Sequence, residues 1–368
     1  MSIVPVRSVQ IIQLGIGGVG RALLEQVLVT RGRLVERRGL RLDYLGLADS
    51  TGYLVNKAGM DDTQLRQVLD AKSQGRSLTD LPGGQAATEG TGQALLTWLQ
   101  HVGPANAVWV DATAAHGLES VLLQASELGY GLVLANKRPL VTSLDVFHTL
   151  LRNRRLRHEA TVGAGLPVIY TIHYLLDAGD DITAVEGCLS GTMGYLCAQM
   201  ELGTAFSLAL ARARSLRYTE PDPREDLGGV DVARKALILA RVLGWKLELS
   251  QVEVESFYPP TWDSLTVAEF LEATKALDGQ FVEAVAQARR RDSVLRYVAE
   301  VRDGHCRVGL RDVPTDTLMG GLKGTDNIVS IYSTRYPRPL VICGAGAGVE
   351  VTAAAVLEDI VEVALTAH

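Results

Sequence analysis

Val9-Gln10-Ile11-Ile12-Gln13-Leu14 runs directly into Gly15-Ile16-Gly17-Gly18-Val19-Gly20, and the reading of this junction decides the fold. The first six residues are apolar and β-branched enough for a buried strand. After the glycines, Ala22, Leu23, Val27 and Leu28 recur at helical spacing, so an amphipathic helix follows. A strand, a G-x-G-x-x-G turn and a helix in that order predict a dinucleotide-binding unit. Gly15 permits the tight turn, Gly17 lets backbone approach a pyrophosphate, and Gly20 lets helix and strand pack closely. The diphosphate would rest on backbone N–H groups around Gly18 and Val19 at the helix N-terminus. A glycine turn that binds nothing is the alternative.

Residues 42–48 (LDYLGLA), 107–111 (AVWVD) and 131–135 (GLVLA) read as three more strands, with a helix between the last two. Strands alternating with helices predict an α/β fold, a Rossmann-type doubly wound parallel sheet with ligands at the carboxyl ends of its strands. Asp49 closes the second strand, where a carboxylate can accept bonds from ribose hydroxyls and repel a 2′-phosphate. It comes 29 residues after Gly20, later than the usual ~20, so the first helix or its exit loop must be long. Asp49 tilts the reading toward NAD, whereas Arg37, Arg38, Arg41 or Lys57 could serve the 2′-phosphate of NADP. Residues 72–92 are polar and carry Pro82 among several glycines, which suits a surface connection.

From about residue 150 the pattern changes. Residues 158–163 and 182–189 read as strands of a second sheet. Helices are expected over 206–216, 231–243 and 267–291, and strands over 294–301 and 328–332. Residues 351–366 are apolar at helical spacing and follow another glycine cluster. The expected division is residues 1–150 as the dinucleotide-binding domain and 151–342 as a second, α+β domain.

Composition sets the class. The 368 residues are 47% hydrophobic and 21% charged, which excludes wholesale disorder. A net charge of −6 lacks the basic surplus of a nucleic-acid binder. No apolar run reaches the ~18 residues of a membrane span, and the N-terminus lacks the features of a secretory signal. A cytoplasmic protein, independent of membranes, is expected. Cys188, Cys197, Cys306 and Cys343 stand far apart, and the seven histidines form no ligand-spaced pair. Buried reduced thiols and no zinc site follow.

The densest chemistry lies in residues 218–235, YTEPDPREDLGGVDVARK. Glu220, Asp222, Glu225, Asp226 and Asp231 crowd a loop framed by two prolines and two glycines, ahead of a helix. Asp231 and Lys235 stand four apart on one helical face, acid first. Alone, that pair suits a surface ion pair equally well. Beside an acidic loop, in a chain with a dinucleotide motif, it points to a held proton donor.

Other motifs follow the same order along the chain: Asp111-Ala112-Thr113, Ala135-Asn136-Lys137-Arg138-Pro139, HEATVGAGLP over 158–167, LSGTMGY over 189–195, LKGTDN over 322–327 and GAGAG over 344–348. With these residues the chain closely resembles homoserine dehydrogenase, from about residue 9 to the C-terminus. Its length is similar to the short form, without an aspartokinase or a C-terminal regulatory domain. The resemblance implies reversible, NAD(P)-dependent interconversion of L-aspartate 4-semialdehyde and L-homoserine, on the way to threonine, methionine and isoleucine. It implies that Lys235 donates the proton and Asp231 orients it, while Lys137 touches cofactor and substrate and polarises the reacting oxygen. Glu220 would take the substrate ammonium, Thr192 and Tyr195 the remaining wall, and Thr113 the nicotinamide end. Gly348 would close over the cofactor, which places the helix of residues 343–368 back on the first domain. Relatives pair through their second-domain sheets, so a homodimer is implied.

The segment from Glu159 to Leu166 resembles the family's monovalent-cation loop, with sodium ligands carried over to Glu159, Val162, Ala164 and Leu166. Backbone carbonyls suit a hard cation, and a glycine-rich crossover between domains is the alternative. Gly194 and Glu225 depart from the family's pattern in minor ways. Two other classes compete. A semialdehyde dehydrogenase working through Cys188 or Cys197 would need an activated thiol. A non-catalytic nucleotide sensor on this fold would be expected to lack Lys137 or Lys235, and both are present.

Overall fold

In the computed structural model, which describes residues 6–87, 90–104 and 107–366, the opening run is strand β1 (Arg7–Leu14). Residues 1–5, read above for a signal, and 367–368, the end of the C-terminal segment, lie outside the described residues. Helix α1 (Gly18–Arg38) buries Ala22, Leu23, Leu24 and Val27, and Gly39 stops it in a left-handed conformation. The late arrival of Asp49 is therefore explained by a helix of 21 residues. The chain continues through β2 (Leu40–Ala48), β3 (Gly52–Val55), α2 (Asp62–Ser73), β4 (Gln85–Ala86), α3 (Thr91–Val102) and β5 (Ala107–Asp111). Then come α4 (Glu119–Glu127), β6 (Gly131–Leu134), α5 (Leu144–Leu151) and β7 (Leu156–Arg157).

These strands form one sheet in the order β4-β3-β2-β1-β5-β6-β7. The five from β2 to β7 run parallel, and β3 and β4 add an antiparallel edge. β1 is flanked by β2, which follows it through α1, and on the other side by β5, which the chain reaches through α3; this switch in direction opens a crevice at the carboxyl ends of the strands. The sheet is Rossmann-type. Residues 72–92, expected as a plain connection, hold the end of α2, a single 3-10 turn and β4.

The second part begins with α6 (Val168–Asp177), β8 (Ile182–Cys188), α7 (Gly191–Glu201), α8 (Phe206–Ser215), α9 (Arg224–Leu227) and α10 (Val230–Val242). It goes on with β9 (Glu253–Val254), α11 (Val267–Ala273), α12 (Asp278–Arg289), β10 (Ser293–Arg302), β11 (His305–Pro314), β12 (Asp326–Ser333) and β13 (Leu340–Ala345). Its sheet runs β13-β12-β8-β10-β11-β9, mostly antiparallel, with α7, α10 and α12 packed against it.

The last helix, α13 (Val349–Leu365), belongs to the first sheet. Its Ala353, Val356, Ile360 and Val363 share a buried core with Ile11, Val27, Leu42 and Val133. The chain thus divides into two compact units, Met1–Gly165 with Gly348–His368, and Leu166–Ala347.

Two expectations need correction. Residues 158–163 are no strand of the second sheet; they form a 3-10 turn, Glu159–Thr161, after β7. The Asp359 carboxylate accepts the Glu159 N–H at 2.9 Å, and Thr161 and Val162 donate back along the turn, so no ladder forms. The long helix expected over 267–291 is broken by a 3-10 turn at Thr274–Leu277. There the Thr274 hydroxyl donates to the Leu271 carbonyl and the Asp278 carboxylate is drawn to Ser207.

Candidate functional site

In the first unit a cavity of about 810 Å³ opens at the carboxyl ends of β1, β2 and β5. Gly15, Gly17, Gly18, Val19, Asp49 and Thr113 line it, joined by Arg21 and Lys72, which no motif had singled out. Gly15 has φ +93°, and a Cβ there would lie 2.6 Å from the Ala112 carbonyl oxygen. A Cβ on Gly20 would lie 2.0 Å from the Gly15 oxygen, so the third glycine is what lets α1 sit against the turn. Gly348 precedes the first turn of α13, and the Val349 side chain lies beside Gly18.

Asp49 is not an open acceptor. Its Oδ1 accepts the N–H of Thr51 and Gly52 and the Thr51 hydroxyl, all between 2.7 and 2.9 Å. Its Oδ2 takes Lys72 Nζ at 2.8 Å and the Leu78 N–H at 3.0 Å. Burial alone would raise its pKa, but the bonds from Lys72, Thr51 and Leu78 outweigh it and hold the carboxyl well below the usual range. Every strong acceptor direction on the ribose-reading residue is filled, and an ammonium sits beside it. The cations weighed for a 2′-phosphate lie elsewhere. Arg37 and Arg38 line a groove between α1 and α13, Arg41 pairs with Asp43 at 2.9 Å, and Lys57 is exposed after β3.

A polar knot fixes the ends of β5 and β6. Buried Asp111 accepts the Thr113 N–H and hydroxyl at 3.0 and 2.7 Å, and Asn136 Nδ2 at 3.0 Å. Burial raises the Asp111 pKa, with the Thr113 and Asn136 bonds acting against it. Asn136 also donates to the Ala115 carbonyl and accepts the Arg138 N–H. Lys137 stands between those anchored neighbours at the start of a 3-10 turn. Its place is set by a buried network rather than by a mobile loop.

The second unit holds the acidic loop. Asp231 lies in the first turn of α10, and its Oδ2 is 2.9 Å from Lys235 Nζ. The same Nζ donates to the Leu189 carbonyl at 2.6 Å, just past the end of β8. The ammonium is thus aimed by two oxygens from two elements. Asp226, quoted with the loop but given no role, is its organiser. It accepts the Glu220 N–H at 2.8 Å, and the Thr192 hydroxyl lies 3.1 Å away and also reaches the Tyr218 carbonyl. Burial raises the Asp226 pKa, against its bonds from Glu220 and Thr192. Glu220 is left exposed, while Tyr195 meets Tyr218 edge-on. Asp222 is taken up by Arg224 at 2.6 Å, whose guanidinium also binds the Asp263 and Leu265 carbonyls. That acid shapes the loop.

Neither Cys188 nor Cys197 is an activated nucleophile, and Cys343, expected to be buried, is exposed. Cys188 and Cys197 are buried, and burial pushes both thiols up to about 12, where no useful thiolate exists. In the cation-loop segment Gly163 and Ala164 both have positive φ, at 86° and 57°. Among the described residues no group of three or more His, Cys, Asp or Glu side chains could hold a metal ion, and no helix is long and apolar enough to cross a membrane.

One unit carries a crevice of the dinucleotide-binding type and the other a carboxylate-held lysine, the two kinds of feature found in nicotinamide-dependent oxidoreductases. The homoserine dehydrogenase family profile matches residues 167–361. A homoserine dehydrogenase of Emericella nidulans is 34% identical over 369 residues, covering 95% of this chain and 96% of its own. The chain belongs to the homoserine dehydrogenase family. It spans about 42% of the length of the bifunctional aspartokinase/homoserine dehydrogenase of Haemophilus influenzae, at 34% identity. Among solved structures, a Candida auris protein of unknown function is 31% identical with a TM-score of 0.87, covering 98% and 99% of the two chains. A hyperthermophilic archaeal homoserine dehydrogenase in complex with NADPH shares the fold at 23% identity and a TM-score of 0.75, covering 98% and 99%.

Proposed function

We propose that this chain interconverts L-homoserine and L-aspartate 4-semialdehyde, with the first unit as its dinucleotide-binding domain and the second as its substrate-binding domain. The observation that carries the reading is Lys235 Nζ, held 2.9 Å from Asp231 and 2.6 Å from the Leu189 carbonyl. A bound nicotinamide cofactor supplies or accepts the hydride. Reduction of the aldehyde leaves an alkoxide oxygen, and Lys235 Nζ gives it a proton; in the reverse direction neutral Nζ takes the hydroxyl proton. Asp231 aims the lysine and balances its charge. Lys137, fixed by the Asn136 network, polarises the same oxygen. Glu220 takes the substrate ammonium, with Tyr195 as a wall and Thr192 bracing the loop. Gly348 closes the cofactor site, and Thr113 marks its nicotinamide end. Purified protein should form NAD(P)H only when homoserine is added; no homoserine-dependent formation with either coenzyme would remove the reading.

The preferred coenzyme is NADP(H). Asp49 is internally saturated, Lys72 balances its charge, and Arg21 adds a positive charge to the same cavity. Lys72→Ala should raise the KM for NADP+ by ~10-fold, the scale of one charge-assisted bond, and leave NAD+ within about twofold. Equal effects on the two coenzymes would return Asp49 to its ribose-reading role.

The loop from Glu159 to Leu166 is proposed to offer carbonyls of Glu159, Val162, Ala164 and Leu166 to a sodium ion. Non-glycine Ala164 at φ +57° supports a backbone shaped for something other than economy. A cytoplasmic homodimer completes the proposal. Strand β13 is a sheet edge whose Leu340, Val341 and Ile342 are only half-buried, which leaves an apolar border for a second copy. Light scattering should give about twice the chain's 39.6 kDa, and a monomer at micromolar concentration would sink the dimer.

A further inference from the structure

Gln13 is a polar side chain with no exposed surface, placed on β1 just before the glycine turn. Its Nε2 donates to the Gly15 carbonyl at 2.9 Å and to the Gly20 carbonyl at 3.0 Å, the two ends of the fingerprint. Its Oε1 accepts the hydroxyl of Tyr44, equally buried on the neighbouring β2, at 3.0 Å. A carboxamide has two N–H donors, and both are committed. The orientation is also fixed. Burial pushes the Tyr44 phenol up, so it stays a protonated donor, and a donor demands the oxygen end of Gln13. The nitrogen end must then face the glycines.

We propose that Gln13, aimed by Tyr44, is a positioning residue for the dinucleotide, and that this Tyr44–Gln13 clamp sets the shape of the phosphate-binding turn. In a trans peptide the carbonyl and the following N–H point in opposite directions. Holding the Gly15 carbonyl toward Gln13 therefore turns the Ile16 N–H away from it, and Ile16 lines the cavity. Holding the Gly20 carbonyl ties the first turn of α1 to the same side chain, so turn and helix start move as one body. A glycine-rich turn is otherwise free to sample many shapes, and each binding event would have to select one. This rests on the dinucleotide reading of the cavity.

The test uses Gln13→Met, Tyr44→Phe and the double variant, with NADPH binding followed by fluorescence, thermal melting and steady-state rates. Gln13→Met alone strands the Tyr44 hydroxyl and melts early. The double variant removes the stranded hydroxyl but still leaves the Gly15 and Gly20 carbonyls without the Gln13 donor, so it should melt between Gln13→Met and the wild type. Even so, its Kd for NADPH and KM for NADP+ should rise by ~10-fold, and the KM for homoserine at saturating NADP+ should stay within about twofold. Tyr44→Phe, which keeps the glycine bonds, should show a smaller rise. Unchanged NADPH affinity in the folded double variant would overturn the clamp, as would a loss that tracks the melting temperature across the three variants. A wild-type protein that binds neither coenzyme would instead bring down the cavity's reading as a dinucleotide site.

Discussion

Lys235→Ala should lower kcat for homoserine oxidation by ~10²–10⁴-fold, the range of a positioned acid–base group. The lysine lies on α10 with its side chain only 11% exposed, so its Nζ has little freedom beyond Asp231 and the Leu189 carbonyl. Removing it deletes the proton carrier and also a tie between α10 and the end of β8. Lys235→Arg separates those roles. It keeps the charge and can still donate to carbonyls, but a guanidinium cannot shed its proton near neutral pH and so cannot serve as base. The arginine variant should fold and bind substrate yet stay within tenfold of the alanine variant in kcat. Asp231→Asn keeps the shape and removes the counter-charge, and should lose a smaller factor, ~10-fold to 10²-fold. If Lys235→Arg restored turnover, the lysine would be an electrostatic anchor and the proton would have to come from another group.

Much of this organisation is written locally. The strand, glycine turn and helix are legible because each is a short-range pattern, and AVWVD at 107–111 is a strand to the residue. The paired Asp231 and Lys235 are likewise legible, since helical periodicity alone puts them on one face. Partners distant in sequence are not. Lys72 joins Asp49 across 23 residues, and nothing near either one announces it. Asp226 looks like one more acid in a crowded loop until its bonds to Glu220 and Thr192 are seen. The misread strand at 158–163 has the same cause, because its backbone is claimed by Asp359, 200 residues away. Asp303-Gly304 has positive φ at both residues between β10 and β11, and an Asp-Gly pair flanked by strand residues is a strong hairpin signal.

Gly20→Ala and Gly17→Ala should both cripple coenzyme binding, for opposite reasons, and comparing them tests the turn more sharply than either alone. At Gly20 a Cβ would fall 2.0 Å from the Gly15 oxygen and 2.8 Å from Gln13 Nε2. The obstacle is backbone, so α1 must move off the turn, at the ~1–3 kcal/mol typical of overpacking. The melting temperature should fall, and kcat/KM for NADP+ should drop by ~10²-fold as the turn opens. At Gly17 no protein atom lies within 4 Å of the same position. Alanine there would take φ −79° and ψ −153°, at the edge of the extended region and open to an L residue at small cost, so the fold should melt within a few degrees of the wild type. Its methyl group nonetheless projects where a pyrophosphate would lie against the backbone, and NADP+ affinity should still fall by ~10-fold or more. Normal coenzyme affinity in Gly17→Ala would mean that no ligand phosphate lies against that backbone. The cavity would then be a crevice shaped by packing, and the glycines a consequence of how tightly α1 meets β1.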